Sequence, residues 1–209
     1  MSPRPADPTI RNALIDTAAR LLTEQGPQAL TTRKLAAEVG TSTMAVYTHF
    51  QGMEQLREEV AREGFARLAS FLDAIELTDD TVTDVAAMGG AYFLNALSNP
   101  YLYRVMFIER PAGDQDVGRE TFDRLIAACG RAVEAGRFAD ADPERLATQL
   151  WATSHGIVTL HLAGCLTLEE AIQCFTDMGT NLFVAFGDDR ARAERSIEQT
   201  RTRFSLTPA

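Results

Sequence analysis

Two pairs of side chains in the second half of the chain have residue types that could carry chemistry. Ser154 adjoins His155, which are the types of a nucleophile and its general base. Successive residues on a helix diverge by about 100°, so this pair does not face one another. His161 and Cys165 are four residues apart and could share a metal ion, but a third ligand is missing because His155 falls on a different face. Since phosphate-binding glycine motifs are also missing, we predict a protein that is not an enzyme, with no catalytic or metal site and no cofactor.

A compact unit in the first quarter of the chain has the spacing of a helix-turn-helix. Within residues 32–50, Ala36, Gly40 and Val46 occupy the fifth, ninth and fifteenth positions. The small residue lets two helices approach, the glycine makes the turn and the β-branched residue packs underneath. This pattern predicts DNA binding.

Helices must position this unit. We expect a first helix from Asp7 and Pro8 to Gly26, and a second from a cap at Thr31 or Thr32 to Gly40. Ser42 should cap a third helix that ends near Phe50, and one long amphipathic helix should run from Met53 to about Glu76. Further helices are predicted over residues 85–97, a short stretch up to 107, 117–136, 143–163, 168–186 and 188–203, with loops at 78–84 and 109–116, and no strand.

The charge is unevenly divided along the chain. The 209 residues have a net charge of −9, yet residues 1–52 carry five basic and four acidic side chains. The acidic excess therefore lies in the remainder, where it argues against a second nucleic-acid surface. Screening beyond about 8 Å lets the amino-terminal part still contact phosphate.

Residues 10–60 resemble the tetracycline repressor (TetR) family of bacterial regulators. The resemblance rests on TTRKLAAEVG, then AVYTHF, then a helix start at residues 52–56. It implies an all-α homodimer, with a three-helix DNA-binding head at residues 1–52 and a larger ligand-binding and dimerisation body at 53–209. The usual behaviour of the family implies a one-component repressor that binds a pseudo-palindromic operator and leaves the DNA when a small effector binds. The alternative is an architectural DNA-binding protein that needs no effector.

The groove-facing residues are expected on the exposed side of the third helix. Hydroxyl groups there can bond base edges or phosphate, and a methionine can meet a thymine methyl group. Tyr47 and His49 could instead pack against helix one, and Lys34 could be a solvated charge. Family members usually have a lysine in place of Met53, so we expect weaker phosphate binding here. The predicted DNA-binding residues are Thr32, Arg33, Lys34, Thr43, Met44, Tyr47, Thr48 and His49.

The segment WATSHG at residues 151–156 resembles the Trp-His-Gly pattern of one group of TetR-family effector domains. Four-residue spacing puts Trp151 and His155 on one helix face, which could line a pocket or a dimer interface. Aromatic residues and methionine in the middle of the chain, namely Tyr92, Phe93, Tyr101, Tyr103, Met106, Phe107 and Phe122, suit an apolar or aromatic effector or simply fill the core. The predicted effector-binding residues are Tyr92, Tyr101, Phe107, Trp151 and His155.

The remaining expectations concern location, thiols and assembly. No apolar run approaches the ~20 residues of a membrane span and the start resembles no leader, so we expect a cytoplasmic protein without a membrane partner. Cys129, Cys165 and Cys174 should be buried structural thiols. The helices at about 143–163 and 168–186 carry small residues and are expected to form a four-helix dimer contact.

Overall fold

The computed structural model describes residues 8–107 and 118–204 of the chain. In these residues every regular element is helical, which confirms the all-α prediction. A 3-10 turn, Pro27–Ala29, follows the first helix. The α-helices are α1 (Pro8–Gln25), α2 (Thr32–Val39), α3 (Thr43–His49), α4 (Met53–Asp73), α5 (Thr81–Ser98), α6 (Pro100–Phe107), α7 (Arg119–Glu134), α8 (Pro143–Leu162), α9 (Leu168–Ala185) and α10 (Arg190–Arg203).

The helix ends around the helix-turn-helix follow from local capping. The Thr31 hydroxyl accepts a hydrogen bond of 3.2 Å from the Lys34 amide, and the Ser42 hydroxyl accepts one of 3.1 Å from the Ala45 amide. Gly40 ends α2 with φ at +72°, a left-handed conformation that glycine adopts without strain. These caps are the predicted ones. Asp7, the predicted cap of α1, lies outside the described residues.

Two predicted boundaries differ from the structure by three residues or more. The long helix α4 ends at Asp73, three residues before the predicted end, and α5 begins at Thr81 instead of Val85. The early start has a local cause, because the Asp80 carboxylate accepts hydrogen bonds from the amides of Val82 and Thr83. The predicted loop at 109–116 lies outside the described residues.

The chain divides into two compact units, which we name the head and the body. The head comprises Met1–Arg67 with Asn99–Gly118, and the body comprises Leu68–Ser98 with Arg119–Ala209. This division differs from the predicted domains, 1–52 and 53–209, because α6 packs on α1. Leu102 and Val105 of α6 are buried in the same hydrophobic core as α1, α2, α3 and the first part of α4.

Apolar packing and an ionic cluster around the buried Arg137 hold the body together. Arg137, only 6% exposed, donates to both carboxylate oxygens of Asp188 at 2.8 and 2.7 Å. It also pairs with Asp80, which accepts a hydrogen bond of 2.8 Å from the Ser196 hydroxyl. Because the buried Arg137 and Asp188 neutralise one another, the cluster can join Asp80, just before α5, to Asp188 in the turn before α10 and to Ser196 within α10.

The three cysteines differ in exposure. Cys129 is fully buried in α7, and burial raises the pKa of its thiol to about 12. Cys174 is half-buried, whereas Cys165, in the turn after α8, is exposed. The prediction of buried structural thiols is therefore wrong for Cys165, which the α8–α9 turn leaves in contact with solvent. Within the described residues, no helix is long and apolar enough to cross a bilayer.

Candidate DNA-binding face and effector site

The outer face of α3 presents the residues expected to enter a DNA groove. Met44 is 71% exposed and Tyr47 is 56% exposed, and Thr43 is also exposed. The opposite side of α3 is anchored by Val46, which is buried in the head core together with Phe50 just beyond the helix. Met44 and Tyr47 are thus exposed to solvent on a helix whose opposite face is packed in the core. Large exposed hydrophobic side chains that lie together are typical of an interaction surface.

The end of α3 is less open than its start. Thr48 is exposed, but its hydroxyl donates a hydrogen bond of 2.9 Å to the Met44 carbonyl oxygen. His49 is half-buried, with its ring centroid 6.1 Å from that of Phe50. Both remain within the predicted set, although each is partly engaged inside the head.

The cations of α2 differ in their contacts. Arg33 is exposed, and no ion pair to it occurs within the described part of the chain. Lys34 is half-buried, and its ammonium group donates a hydrogen bond to the side-chain oxygen of Gln25. Thr32, the first residue of α2, is half-buried at the helix start. Arg33 is therefore the more accessible cation for a phosphate.

Four other arginines of the head pair with carboxylates, whereas Arg57 donates to the Pro27 carbonyl oxygen. Arg11 pairs with Glu59 at 2.7 Å and Arg20 pairs with Glu38 at 2.8 Å. Arg62 and Arg67 also have acidic partners within four residues on α4. Such pairs leave little positive charge for DNA, so phosphate binding must depend on few cations.

Met53, at the start of α4, has a packing role. Its half-buried side chain lies against the hydrophobic core of the head. The position that the family resemblance links to a phosphate-binding lysine is thus occupied by an apolar side chain that contributes to the core.

Three of the predicted effector residues come together in the body. Tyr92 on α5 is buried, and its hydroxyl shares a hydrogen bond of 3.1 Å with Nδ1 of His155 on α8. Trp151 lies one turn before His155, with ring centroids 6.0 Å apart, and its ring also contacts Phe122 of α7 at 5.8 Å. The four-residue spacing therefore does place the tryptophan and histidine on one face.

His155 is neutral at physiological pH. Burial lowers the pKa of its ring from the ordinary value, because a charged imidazolium is poorly solvated inside the body. Tyr92 and His155 thus form an uncharged polar pair, flanked by the aromatic rings of Trp151 and Phe122.

The other two predicted effector residues belong to the head. Tyr101 on α6 is 38% exposed, and its hydroxyl donates a hydrogen bond of 2.9 Å to Glu24 of α1. Phe107 packs against Phe65 and Tyr103, with centroid distances of 5.5 and 5.0 Å. These contacts of Tyr101 and Phe107 are with other residues of the head.

The pair considered for metal binding has different contacts. Nδ1 of His161 donates a hydrogen bond of 3.0 Å to the Leu166 carbonyl oxygen, and the His161 ring lies 6.4 Å from Phe93. No group of three or more candidate metal ligands occurs among the described residues.

Sequence reasoning missed Thr159, one turn after His155 on the same face of α8. Its hydroxyl oxygen is buried and has no hydrogen-bond partner within the described residues. The signal was available, because Trp151, His155 and Thr159 repeat at intervals of four residues.

Two family models match the chain. The model described as "Bacterial regulatory proteins, tetR family" matches residues 14–60. The model described as "Tetracyclin repressor-like, C-terminal domain" matches residues 85–182. Together they cover more than half of the chain, one on the helix-turn-helix and one on the body helices.

Individual proteins agree with these models. An uncharacterized HTH-type transcriptional regulator of Mycobacterium tuberculosis is 28% identical over 169 residues, which cover 80% of this chain and 77% of that protein. A solved protein of unknown function from Rhodococcus sp. RHA1 is 26% identical, with a TM-score of 0.71, and the match covers 90% of this chain and 100% of that one. RolR in complex with its ligand resorcinol shares the fold, at 19% identity and a TM-score of 0.62 over 92% of this chain and 94% of that one. The chain therefore belongs to the TetR family of DNA-binding transcriptional regulators.

Proposed function

We propose that the protein is a one-component repressor, which binds a pseudo-palindromic operator as a homodimer and releases it when a small molecule occupies the body. The DNA half of this proposal is supported by the exposure of Met44 and Tyr47 on α3, opposite a buried anchoring face. A hydrophobic side chain at this place can contact a thymine methyl group, and a phenol can donate to phosphate.

Dimerisation is proposed through α8 and α9. Each presents large hydrophobic side chains to solvent, among them Leu160 at 47% exposure and Met178 at 43%. Around Gly156 of α8 there is open space, since an added Cβ would meet no atom within 4 Å. Gly179 of α9 instead faces Ile197 of α10 in the same chain, so its small size serves internal packing. Gly156 is thus the better candidate for close approach of a partner helix.

Sedimentation tests the dimer. The intact chain should sediment with a mass near twice 22.9 kDa at micromolar concentration. Leu160→Glu should shift the equilibrium towards the monomer, because a charge would be buried in the contact. As a control, Leu77→Glu alters a side chain with 60% exposure outside these helices and should leave the mass unchanged. A monomeric wild type would contradict the proposal.

The effector half is supported by the cluster of Tyr92, His155, Trp151 and Phe122, an uncharged polar pair beside aromatic rings. A pocket of this composition suits a small apolar or aromatic molecule. RolR, which shares the fold, is described in complex with resorcinol, a small aromatic compound. Assignment of the body to the Trp-His-Gly group also remains part of this proposal.

Operator binding is tested by selection from randomised duplex DNA. The selected sequences should contain inverted repeats with half-sites about one helical turn apart, roughly 34 to 36 Å. Thr43→Ala and Met44→Ala should change the preferred bases within each half-site. Recovery of sequences without any repeat or base preference would favour the architectural alternative.

Effector control is tested through thermodynamic reciprocity. The helix α4 is continuous from Met53 in the head to Asp73 in the body and is the proposed route of coupling. If an effector weakens operator binding by a given factor, operator must weaken effector binding by the same factor. The corresponding coupling free energy is typically about 1 to 3 kcal/mol. Tyr92→Phe and His155→Ala should reduce release while preserving operator affinity. Calorimetric titrations with and without operator that gave equal effector affinity would exclude this regulation.

A further inference from the structure

The basic side chains of the head differ in their partners. Four arginines form ion pairs with carboxylates and are largely neutralised by them, namely Arg11, Arg20, Arg62 and Arg67. Lys34 and Arg57 form no ion pair with any residue that the structure describes, and each donates instead to a neutral oxygen. A cation with a neutral partner keeps its positive potential and attracts an anion from solution.

Lys34 and Arg57 bond to the same short stretch of chain, although they belong to different helices. The ammonium group of Lys34 on α2 donates to the side-chain oxygen of Gln25, the last residue of α1. The guanidinium of Arg57 on α4 donates at 3.1 Å to the carbonyl oxygen of Pro27. The Cα atoms of residues 25 and 27 can be at most about 7 Å apart, so both acceptors belong to one small region. We name residues 25–28 the α1–α2 connection, in which Gln25, Pro27 and Gln28 are all exposed.

Arg57 is held in a way that leaves the end of its side chain available. Its Nε atom is buried and has no hydrogen-bond partner within the described residues, so the stem of the side chain is packed in the head. Of its five N–H donors, one on Nη2 bonds to the Pro27 carbonyl oxygen. Because Nε is buried, a phosphate would have to bind through the two Nη atoms. Such a bond is charge-assisted and therefore stronger than the bond to a neutral carbonyl.

The α1–α2 connection leads into the helix that lies across the DNA backbone in this motif. In a helix-turn-helix, the second helix enters the major groove and the first helix crosses the sugar–phosphate backbone. Here α2 is the first helix, and the 3-10 turn Pro27–Ala29 leads to its cap at Thr31. Arg57 therefore holds its charge beside the approach to this helix. It also lies one turn after Met53, the position at which the family resemblance places a phosphate-binding lysine.

One acidic side chain opposes the two cations. Glu54 is exposed in the first turn of α4, three residues before Arg57, and forms no ion pair within the described part of the chain. Side chains three apart on a helix are neighbours, so its carboxylate lowers the positive potential around Arg57. Two positive charges against one negative charge still favour an anion at the connection.

We propose that Lys34 and Arg57 form a binding site for DNA backbone phosphates at the α1–α2 connection. Arg57 then supplies, from the second turn of α4, the cation that Met53 does not provide. The inference adds Arg57 to the predicted DNA-binding residues and rests on the proposed operator binding. Because phosphates are alike at every base pair, this site contributes affinity and register without reading sequence.

Arg57→Gln removes the charge and keeps a long polar side chain. It should reduce the slope of log affinity against log salt by roughly 0.9 per head, which corresponds to about an eightfold loss per head at 0.1 M salt. The loss should be equal for the selected operator and for a random duplex, as measured by fluorescence anisotropy over a range of salt concentrations. Arg57→Lys keeps the charge and should retain the wild-type slope.

Arg62→Gln is the matched control for Arg57→Gln. The same change on the same helix removes a charge that Glu58 and Glu59 already neutralise, so the slope should stay at the wild-type value. An unchanged slope in Arg57→Gln, or an equal reduction in Arg62→Gln, would overturn the site.

Gln28→Glu tests the same site without removing a bond of Arg57 or Lys34. The new carboxylate lies on the exposed connection, where it would pair with the cations and repel phosphate. DNA affinity should fall roughly threefold or more, which is the effect of one unit charge about 6 Å away in water. This variant decides the question if Arg57→Gln proves too unstable for DNA titration. Unchanged affinity in Gln28→Glu would overturn the site as well.

Failure of this site is distinguishable from failure of operator binding. A protein that selects an operator, but whose salt slope is the same in wild type and Arg57→Gln, would keep the proposed function and lose the site. A wild-type protein that bound no duplex at all would refute both.

Discussion

The ammonium group of Lys34 donates a hydrogen bond to the side-chain oxygen of Gln25, which ties α2 to the last residue of α1. Lys34 is the only lysine in the chain. A DNA phosphate would have to replace Gln25 as its acceptor, and a bond to an anionic oxygen is the stronger of the two. The lysine can thus be held in place before DNA arrives and still contribute to phosphate binding.

Lys34→Ala should weaken binding to all DNA sequences alike and reduce the slope of log affinity against log salt by roughly one unit per head. The reason is the loss of one phosphate contact that reads no base. Fluorescence anisotropy with specific and random duplexes, over a range of salt concentrations, provides the measurement. Lys34→Arg keeps the charge and should retain the wild-type slope. An equal slope in Lys34→Ala and Lys34→Arg would therefore contradict a phosphate contact at this position.

Met53→Lys should raise DNA affinity and steepen its salt dependence, because it adds a cation at the start of α4. The same change removes apolar surface from the head core and should lower the free energy of unfolding by about 1 kcal/mol. Met53→Gln serves as the control, since it gives up a similar packing contact without adding charge. If Met53→Lys bound DNA no better than Met53→Gln, the helix start would not contact the backbone in this protein.

Gly64→Ala should destabilise the head. An added Cβ would lie 2.5 Å from Cγ and 2.6 Å from the sulfur of Met106, a fully buried side chain of α6. Overpacking of this kind costs about 1 to 3 kcal/mol in free energy of unfolding. Gly130→Ala in α7 is the matched helix-interior control, where the nearest atom would be 3.8 Å away. Gly130→Ala should stabilise by about 0.5 to 1 kcal/mol in urea denaturation. Stabilisation by Gly64→Ala as well would show that the α4–α6 contact is loose.

The stability of the body should fall as the pH drops below the ordinary range of an aspartate pKa. Burial raises the pKa of the Asp80 carboxyl, but the hydrogen bond from Ser196 and the charge of Arg137 outweigh it, so the net pKa is lowered. A lowered carboxyl pKa gives stability that is present above the unfolded value of about 3.9 and is lost as the pH falls through the folded value.

Thermal midpoints between pH 7 and pH 3 measure this effect. Asp80→Asn should reduce stability at pH 7, because the buried Arg137 loses one of its two carboxylate partners, and should flatten the decline in acid. Asp79→Asn changes the neighbouring exposed residue and should reproduce the wild-type profile. An unchanged acid profile in Asp80→Asn would assign the decline to other groups.

The sequence predicts the elements whose signals are local. Thr31, Ser42 and Gly40 act through neighbouring backbone groups, so residue type and spacing were sufficient to place α2 and α3. The start of α5 was harder, because Asp80 both caps that helix and pairs with Arg137, far along the chain. Nothing within TDDTVTD distinguishes a capping aspartate from a loop aspartate.

The candidate effector site was only partly predictable for the same reason. Spacing along α8 relates Trp151 to His155, but the contact of Tyr92 with His155 depends on how α5 packs against α8. Tyr101 has the same residue type as Tyr92, yet its hydroxyl bonds to Glu24 in the head. Aromatic composition alone does not specify which compact unit a side chain joins.

The core of the head depends on a segment that enters it from far along the chain. Leu102 and Val105 of α6 complete the packing begun by α1 to α4. A fragment ended at Arg67 would leave this apolar surface open to water, so it is a poor choice for expression as a free DNA-binding module. Chimaeras that exchange operator specificity between regulators should therefore transfer α6 together with the amino-terminal helices, or redesign the seam between the parental sequences.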